Sequence, residues 1–205
     1  MKLDTVERWL HWAGGAGTLA FAIAMYLGLW RGSRRPKGRI SGPAPVVVQG
    51  LTSSYLLPAS VLGSAVLYIL WRPLRLPLTV RMRLTTVIIG AILHFSGLAL
   101  MLWGRFTLGQ MYSVSSSLGT ELYADHRLVT SGPFARVRHP MYLGGQLAEI
   151  GALLLYRTWA TLLVTLNIPV LFLRARQEEH ALAAEFGDCW VDYSRQVPFW
   201  IPRIR

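Results

Sequence analysis

More than half of the 205 residues (53%) are hydrophobic, a share that excludes a polar disordered chain and points to a membrane protein of one ordinary domain. The formal charge of +11 would suit nucleic acid, but the basic residues form short clusters between long apolar runs, so they read as loops flanking spans and no nucleic-acid partner is expected. Cys189 stands alone, which excludes a disulfide framework and a multi-cysteine metal site.

The N-terminus "MKLDTVERWLHW" carries two acidic residues and has no small-residue cleavage site before a short apolar core. No cleaved signal peptide is expected, and the first span should stay in the mature protein. About 20 apolar residues are needed to cross a bilayer as helix, and three stretches reach that length: roughly Trp9 to Trp30, Pro45 to Trp71 and Leu84 to Trp103. Trp and Arg bound each of them, as interfacial anchors should. "RGSRRPKGR" and "RPLRLPLTVRMR" between them are too short and charged to be domains, and read as loops. "GGAG" at Gly14 to Gly17 predicts close helix packing rather than a phosphate loop.

After Trp103, Ser, Gly and Thr interrupt the apolar pattern as far as His139, predicting a long membrane-surface segment of the kind that often carries function. Met141 to Leu173 is apolar again except at Tyr156, Arg157 and Thr158, which predicts a helical hairpin with a tight turn. Each arm is roughly 24 Å long at helical rise, shorter than the roughly 30 Å hydrocarbon core, so the open end of the hairpin should sit at or just within the interface. The second arm is expected to continue beyond the membrane through "RARQEEHALAAEFG" and stop at Gly187. The expected fold is therefore an all-α integral membrane protein with about five transmembrane helices, the last two a short hairpin. One domain over 1–205 would comprise three spans within 1–103, an interfacial segment over 104–139, the hairpin and its extension over 140–187, and an interfacial tail over 188–205. Lys and Arg favour the side holding the first loop, the long segment and the tail by about two to one, which places these in the cytoplasm. The four arginines of the second loop pull against that orientation.

Pro140 suits the first position of a helix, where its missing N–H costs nothing. Arg138 and His139 then stand at a helix N-terminus, where unpaired N–H groups and a guanidinium fork favour a carboxylate or phosphate. An isolated Arg-x-Arg is ordinarily a lipid-phosphate contact, and Arg136 fits that description; the following proline and the depth of the hairpin favour a site at Arg138. Arg174 with Glu178, and Arg176 with Glu179, have the spacing of surface ion pairs on one helix. A tight hairpin also brings its open ends together, so Glu178 and Glu179 should emerge near Arg138 and His139.

"LVTSGPFARVRHPMY" (Leu128 to Tyr142) and "RARQEEHALAAEFGDCWVDYSRQVPFWIP" (Arg174 to Pro202) resemble the isoprenylcysteine carboxyl methyltransferase family of membrane enzymes, which use S-adenosylmethionine. The likeness covers about the C-terminal half, including an RHPxY pattern at Arg138 to Tyr142 and the paired glutamates; the first two spans carry no such motif. Phospholipid N-methyltransferases have a related arrangement. The resemblance implies a cofactor site formed by the backbone of Leu128, Val129, Thr130, Gly132 and Pro133 with His139, Tyr142, Glu178 and Glu179. It also implies that Arg138 orients an accepting carboxylate, which makes Arg138 and Glu178 the expected catalytic pair. Phe134 stands where the family often has tyrosine, keeping an aromatic wall and losing a hydroxyl.

Tyr142, Gln146 and Glu149 share a helical face. An ionisable group in mid-span costs at least about 2.5 to 3.5 kcal/mol, so Gln146 and Glu149 read either as the polar wall of a substrate tunnel or as a packing lock. His94 and Asn167 are expected to make interhelical hydrogen bonds. His11, His126 and His180 share no metal-ligand spacing, and no metal is expected. Trp190, Tyr193, Phe199 and Trp200 are expected to anchor the tail in the interface, with closure over the cofactor as the other reading. The function that the resemblance implies is methyl transfer from S-adenosylmethionine, held at a cytoplasmic cofactor site at the open end of the hairpin, to a lipophilic small-molecule or lipidated acceptor, a carboxylate being favoured. A sterol-type membrane reductase using NADPH and a non-enzymatic binder of anionic membrane lipid are the alternatives.

Overall fold

The computed structural model describes residues 3–32, 37–41, 53–112, 120–123 and 127–201. Among these residues seven helices follow in order: α1 (Leu3–Gly32), α2 (Ser53–Ile69), α3 (Val80–Leu108), α4 (Pro140–Tyr156), α5 (Trp159–Thr165), α6 (Ile168–Phe186) and α7 (Asp188–Gln196). Three described stretches are long and apolar enough to cross a membrane: Leu3–Leu27, Val80–Met111 and Trp159–Phe186. At 17 residues each, α2 and α4 reach about 25 Å. Thr79 caps α3, its hydroxyl accepting from Met82 N at 3.3 Å. His126 and the start of the second expected span, 45–52, lie outside the described residues.

Two expectations need correction. The fold is helical but not wholly so, because β1 (Lys37–Ser41) pairs antiparallel with β2 (Thr120–Tyr123), the partners including Lys37 with Tyr123 and Ser41 with Thr120. Both strands come from segments read as loops, too short to show a period of their own; their pairing is non-local, which no local pattern encodes. The second arm of the hairpin is also not one continuous helix, since Leu166 and Asn167 form a turn between α5 and α6. Pro169 explains the break: it has no N–H to continue the ladder from α5, and it sits in the first turn of α6, where that N–H is not needed. Asn167 accordingly sits in a turn, its backbone N–H donating to Val164 O at 3.0 Å.

The chain divides into two compact units, each built from separated stretches. The first comprises Met1–Leu19, Pro45–Leu98 and Gly145–Ile168. Its core includes Val87, Leu155 and Ala160. Small residues set the helix spacing: a Cβ on Gly90 would lie 2.8 Å from Leu155 N and 2.9 Å from Gly151 O, and one on Gly17 would lie 3.3 Å from Leu98 Cδ1. Gly14 is likewise pressed against Tyr156 and His94, whereas Gly15 faces nothing within 4 Å. Buried His94 makes the interhelical bond its mid-span position implied, through Nδ1 to Ala148 O at 3.0 Å. The tight turn falls at Arg157, which takes the left-handed conformation (φ 51°) between α4 and α5. Its side chain bonds Leu154 O at 3.0 Å and the buried carboxylate of Glu7, which also pairs with Arg83 at 2.5 Å. Thr158 and Thr161 then start α5 with a reciprocal capping box.

The second unit comprises Ala20–Ala44, Ala99–Gly144 and Pro169–Arg205. Its buried groups include Val137, Ala175, Trp190, Tyr193 and Val197. The tail read as interfacial folds in its first half into α7, which follows Gly187 in the left-handed conformation (φ 51°). That glycine stops α6, as its position predicts.

Candidate active site

The contacts around Gly132 to Tyr142 lie within the second unit. Gly132 opens a 3-10 turn over Gly132–Ala135. Only glycine suits the position: φ is +61°, and a Cβ would stand 2.9 Å from Thr107 Oγ1. Buried Pro133 accepts at its carbonyl from Arg136 and Val137 N–H, each at 3.1 Å, which turns the chain toward the start of α4. Pro140 occupies the first position of α4, and His139 O receives the first helical bond, from Leu143 N at 3.0 Å. Arg138 and His139 therefore stand where the proline implied.

The two glutamates of α6 reach this corner by different contacts. Arg138 Nη1 lies 3.1 Å from Glu179 Oε1, and His139 Nε2 donates to the same oxygen at 3.2 Å. The Tyr142 hydroxyl, in the first turn of α4, donates to Glu178 Oε1 at 2.5 Å. These pairs join residues 36 to 41 positions apart, and they are what a tight hairpin should deliver. Their consequence for surface pairing is a correction. Among the described residues Arg176 makes no ion pair with Glu179, because Glu179 faces Arg138 and the nearly enclosed His139, better-desolvated partners than an exposed arginine on its own helix.

Arg138 is held on three sides. Its backbone N–H donates to Pro198 O at 3.0 Å, and its guanidinium lies 5.5 Å from the Phe199 ring and 5.9 Å from the Trp190 ring. Its Nε is buried without a hydrogen-bond partner among the described residues. The Phe199 ring also lies 4.9 Å from the His139 ring and is stacked on Trp200 at 5.1 Å.

The aromatic tail thus departs from a simple membrane belt. Trp190 and Tyr193 are 6% and 8% exposed and pack with Val197 against Leu128, Leu182, Ala183 and Phe186. The Tyr193 hydroxyl donates to Phe134 O at 2.7 Å, pinning the 3-10 turn to α7. Burial pushes this hydroxyl up to about 12, with Arg138 lowering and Glu179 raising it. Aromatic content alone could not separate this role from anchoring; the recurrence of Trp190, Tyr193 and Val197 at helical spacing was the available signal.

The remaining expected residues are distributed as follows. Leu128 packs on the α7 cluster, Val129 is half-buried and Thr130 is exposed. Arg136 is exposed. Gln146 and Glu149 belong to the first unit, where Gln146 is buried and Glu149 Oε2 has no hydrogen-bond partner among the described residues. Chemically, the corner offers carboxylate acceptors for hydroxyl or amino groups, a guanidinium with an unused donor, and aromatic faces suited to a base or a cation.

Residues 84–184 match the model of the isoprenylcysteine carboxyl methyltransferase family. That range includes the Arg138 to Tyr142 pattern and both glutamates. The chain is 37% identical over 94 residues to a protein-S-isoprenylcysteine O-methyltransferase of Schizosaccharomyces pombe, a match covering 45% of this chain and 40% of the relative. A Rattus norvegicus protein of the same name is 30% identical over 122 residues, covering 55% of this chain and 42% of the relative. The chain thus spans well under two thirds of these relatives. Among solved structures, a eukaryotic intramembrane Ras methyltransferase of the same family is similar at a TM-score of 0.52 and 23% identity, covering 72% of this chain and 53% of that one. This last likeness carries the fold.

Proposed function

Because residues 84–184 belong to the isoprenylcysteine carboxyl methyltransferase family, we propose that this chain transfers a methyl group from S-adenosylmethionine to the carboxylate of a lipophilic acceptor at the cytoplasmic face of a membrane. The observation that carries the reading is the convergence of Arg138, His139 and Tyr142 with Glu178 and Glu179. In the proposed topology α2 and α4 complete five crossings, and the long segment and tail face the cytoplasm with the excess of Lys and Arg. A soluble donor would enter from that side and a lipophilic acceptor from the bilayer.

The residues fit the donor. Carboxylates at Glu178 and Glu179 suit ribose hydroxyls and an amino group, and the backbone around Gly132 offers polar groups beside aromatic walls. S-adenosylmethionine supplies an electrophilic methyl on a sulfonium. The acceptor carboxylate is already an anion, so no general base is required; the residues act by holding and orienting. Positioning and exclusion of water can supply roughly 7 to 11 kcal/mol of rate enhancement. Glu179 fixes Arg138, and a guanidinium so fixed can grip one carboxylate oxygen while the other attacks. The lipophilic acceptor is proposed to be an S-prenylated cysteine or another lipid bearing a carboxylate.

Calorimetric titration of the detergent-solubilised chain tests this directly. S-adenosylhomocysteine, the demethylated product, should bind, and NADPH should not. Radiolabelled donor should label N-acetyl-S-prenylcysteine as a base-labile ester. No heat with donor or product would sink the reading, and heat with NADPH alone would favour a reductase.

A further inference from the structure

We propose that Arg176 is an oxyanion contact of this site, binding the carboxylate of one of the two reactants. The inference rests on the methyl-transfer reading above and concerns a residue to which that reading assigns no part.

Helical spacing offers Glu179 to Arg176 as an ion-pair partner, but Glu179 is engaged with Arg138 and His139. Among the described residues Arg176 pairs with no carboxylate. Its guanidinium carbon instead lies 5.3 Å from the Phe172 ring and 5.2 Å from the Phe199 ring. Phe172 stands one turn earlier on α6, and the two rings are themselves in contact, with centroids 5.4 Å apart. Phe199 is the same ring that lies against Arg138 and His139. One phenyl ring therefore ties the Arg176 guanidinium to the paired one.

Cation–π attraction to an aromatic face steadies a guanidinium without consuming its N–H groups. Arg176 is thus steadied yet keeps its donors, and it is exposed at the open end of the hairpin. The charge of Arg138 is already met by Glu179, whereas that of Arg176 has no carboxylate opposite among the described residues. A planar anion taking two parallel N–H bonds is the ligand that this arrangement matches. Both reactants carry one: the amino-acid portion of the donor and the accepting group itself.

The test compares Arg176→Gln and Arg176→Lys with wild type in the detergent-solubilised full chain. Two constants are read: Kd for S-adenosylhomocysteine and KM for N-acetyl-S-prenylcysteine. A donor carboxylate predicts that Arg176→Gln weakens Kd by about tenfold or more with KM unchanged. Wild-type preference for S-adenosylhomocysteine over its decarboxylated analogue should then vanish in the variant. An acceptor carboxylate predicts the opposite division, with KM raised by about tenfold or more and Kd unchanged. In either case lysine should restore only part of the loss, because it supplies charge without the fork. Both constants staying within about twofold of wild type, or moving only in step with the melting temperature, would overturn the inference. Wild-type protein that binds no S-adenosylhomocysteine removes the underlying reading instead, and that failure is visible before any substitution is made.

Discussion

Tyr142 and Glu178 meet at 2.5 Å across 36 residues of sequence, the tyrosine donating from the first turn of α4 to a carboxylate on α6. The contact fixes the direction in which the Glu178 carboxylate points. Glu178→Ala is expected to abolish turnover and to weaken S-adenosylhomocysteine binding more than Arg138→Ala does, since the arginine is assigned to the acceptor. Parallel calorimetry and turnover measurements on the two variants check this. Full turnover in either would show that its residue has another role.

Arg138 and Glu179 form a mostly buried pair, their side chains 15% and 17% exposed. Removing the carboxylate alone leaves a guanidinium poorly solvated, so Glu179→Ala should lower the melting temperature more than Glu179→Ala combined with Arg138→Ala. Thermal denaturation of the single and double variants gives the comparison. Turnover should be lost in both.

Tyr193→Phe removes one hydrogen bond, worth about 1 kcal/mol, from the contact with Phe134 O. It should also change the alkaline limb of stability. A hydroxyl raised to about 12 in the fold and near 10 when unfolded binds more proton in the folded state between those values. Its stabilising contribution is therefore full below pH 10 and is lost as pH rises toward 12, with about 1.4 kcal/mol at stake per unit. Denaturation profiles of wild type and Tyr193→Phe should converge as pH rises through this window. Parallel profiles would contradict the assignment.

Gly132→Ala meets both a left-handed backbone and the Thr107 hydroxyl 2.9 Å from its new methyl. Loss of stability by more than about 1 kcal/mol is expected. Because Gly132 begins the turn held by Tyr193, donor affinity should fall as well. Combining it with Thr107→Ala should recover part of the stability, the strain of φ +61° remaining. Melting temperatures of the two variants measure the division.

Local chemistry made a large part of the molecule legible. Pro140 marked the start of α4 because a missing N–H is harmless only there. Gly187 marked the end of α6, and the polar triplet Tyr156 to Thr158 marked the hairpin turn. From these, the meeting of Glu178 and Glu179 with Arg138 to Tyr142 followed as chain geometry. Apolar length likewise identified the spans at α1 and α3, and mid-span polarity assigned His94 to an interhelical bond.

Tertiary structure alone decided the partners. Spacing on α6 offered Glu179 to Arg176, but desolvation beside His139 drew it to Arg138. Aromatic content in the tail was compatible with a membrane belt, but burial turned Trp190 and Tyr193 inward and set the Tyr193 hydroxyl on Phe134 O. The pairing of Lys37–Ser41 with Thr120–Tyr123 joins segments some 80 residues apart, and neither carries a pattern that names the other. Helix starts, stops and spans are written in neighbouring residues because backbone geometry and hydrogen bonding are local. Which carboxylate answers which guanidinium depends on the dielectric and crowding that arise only once the chain has folded.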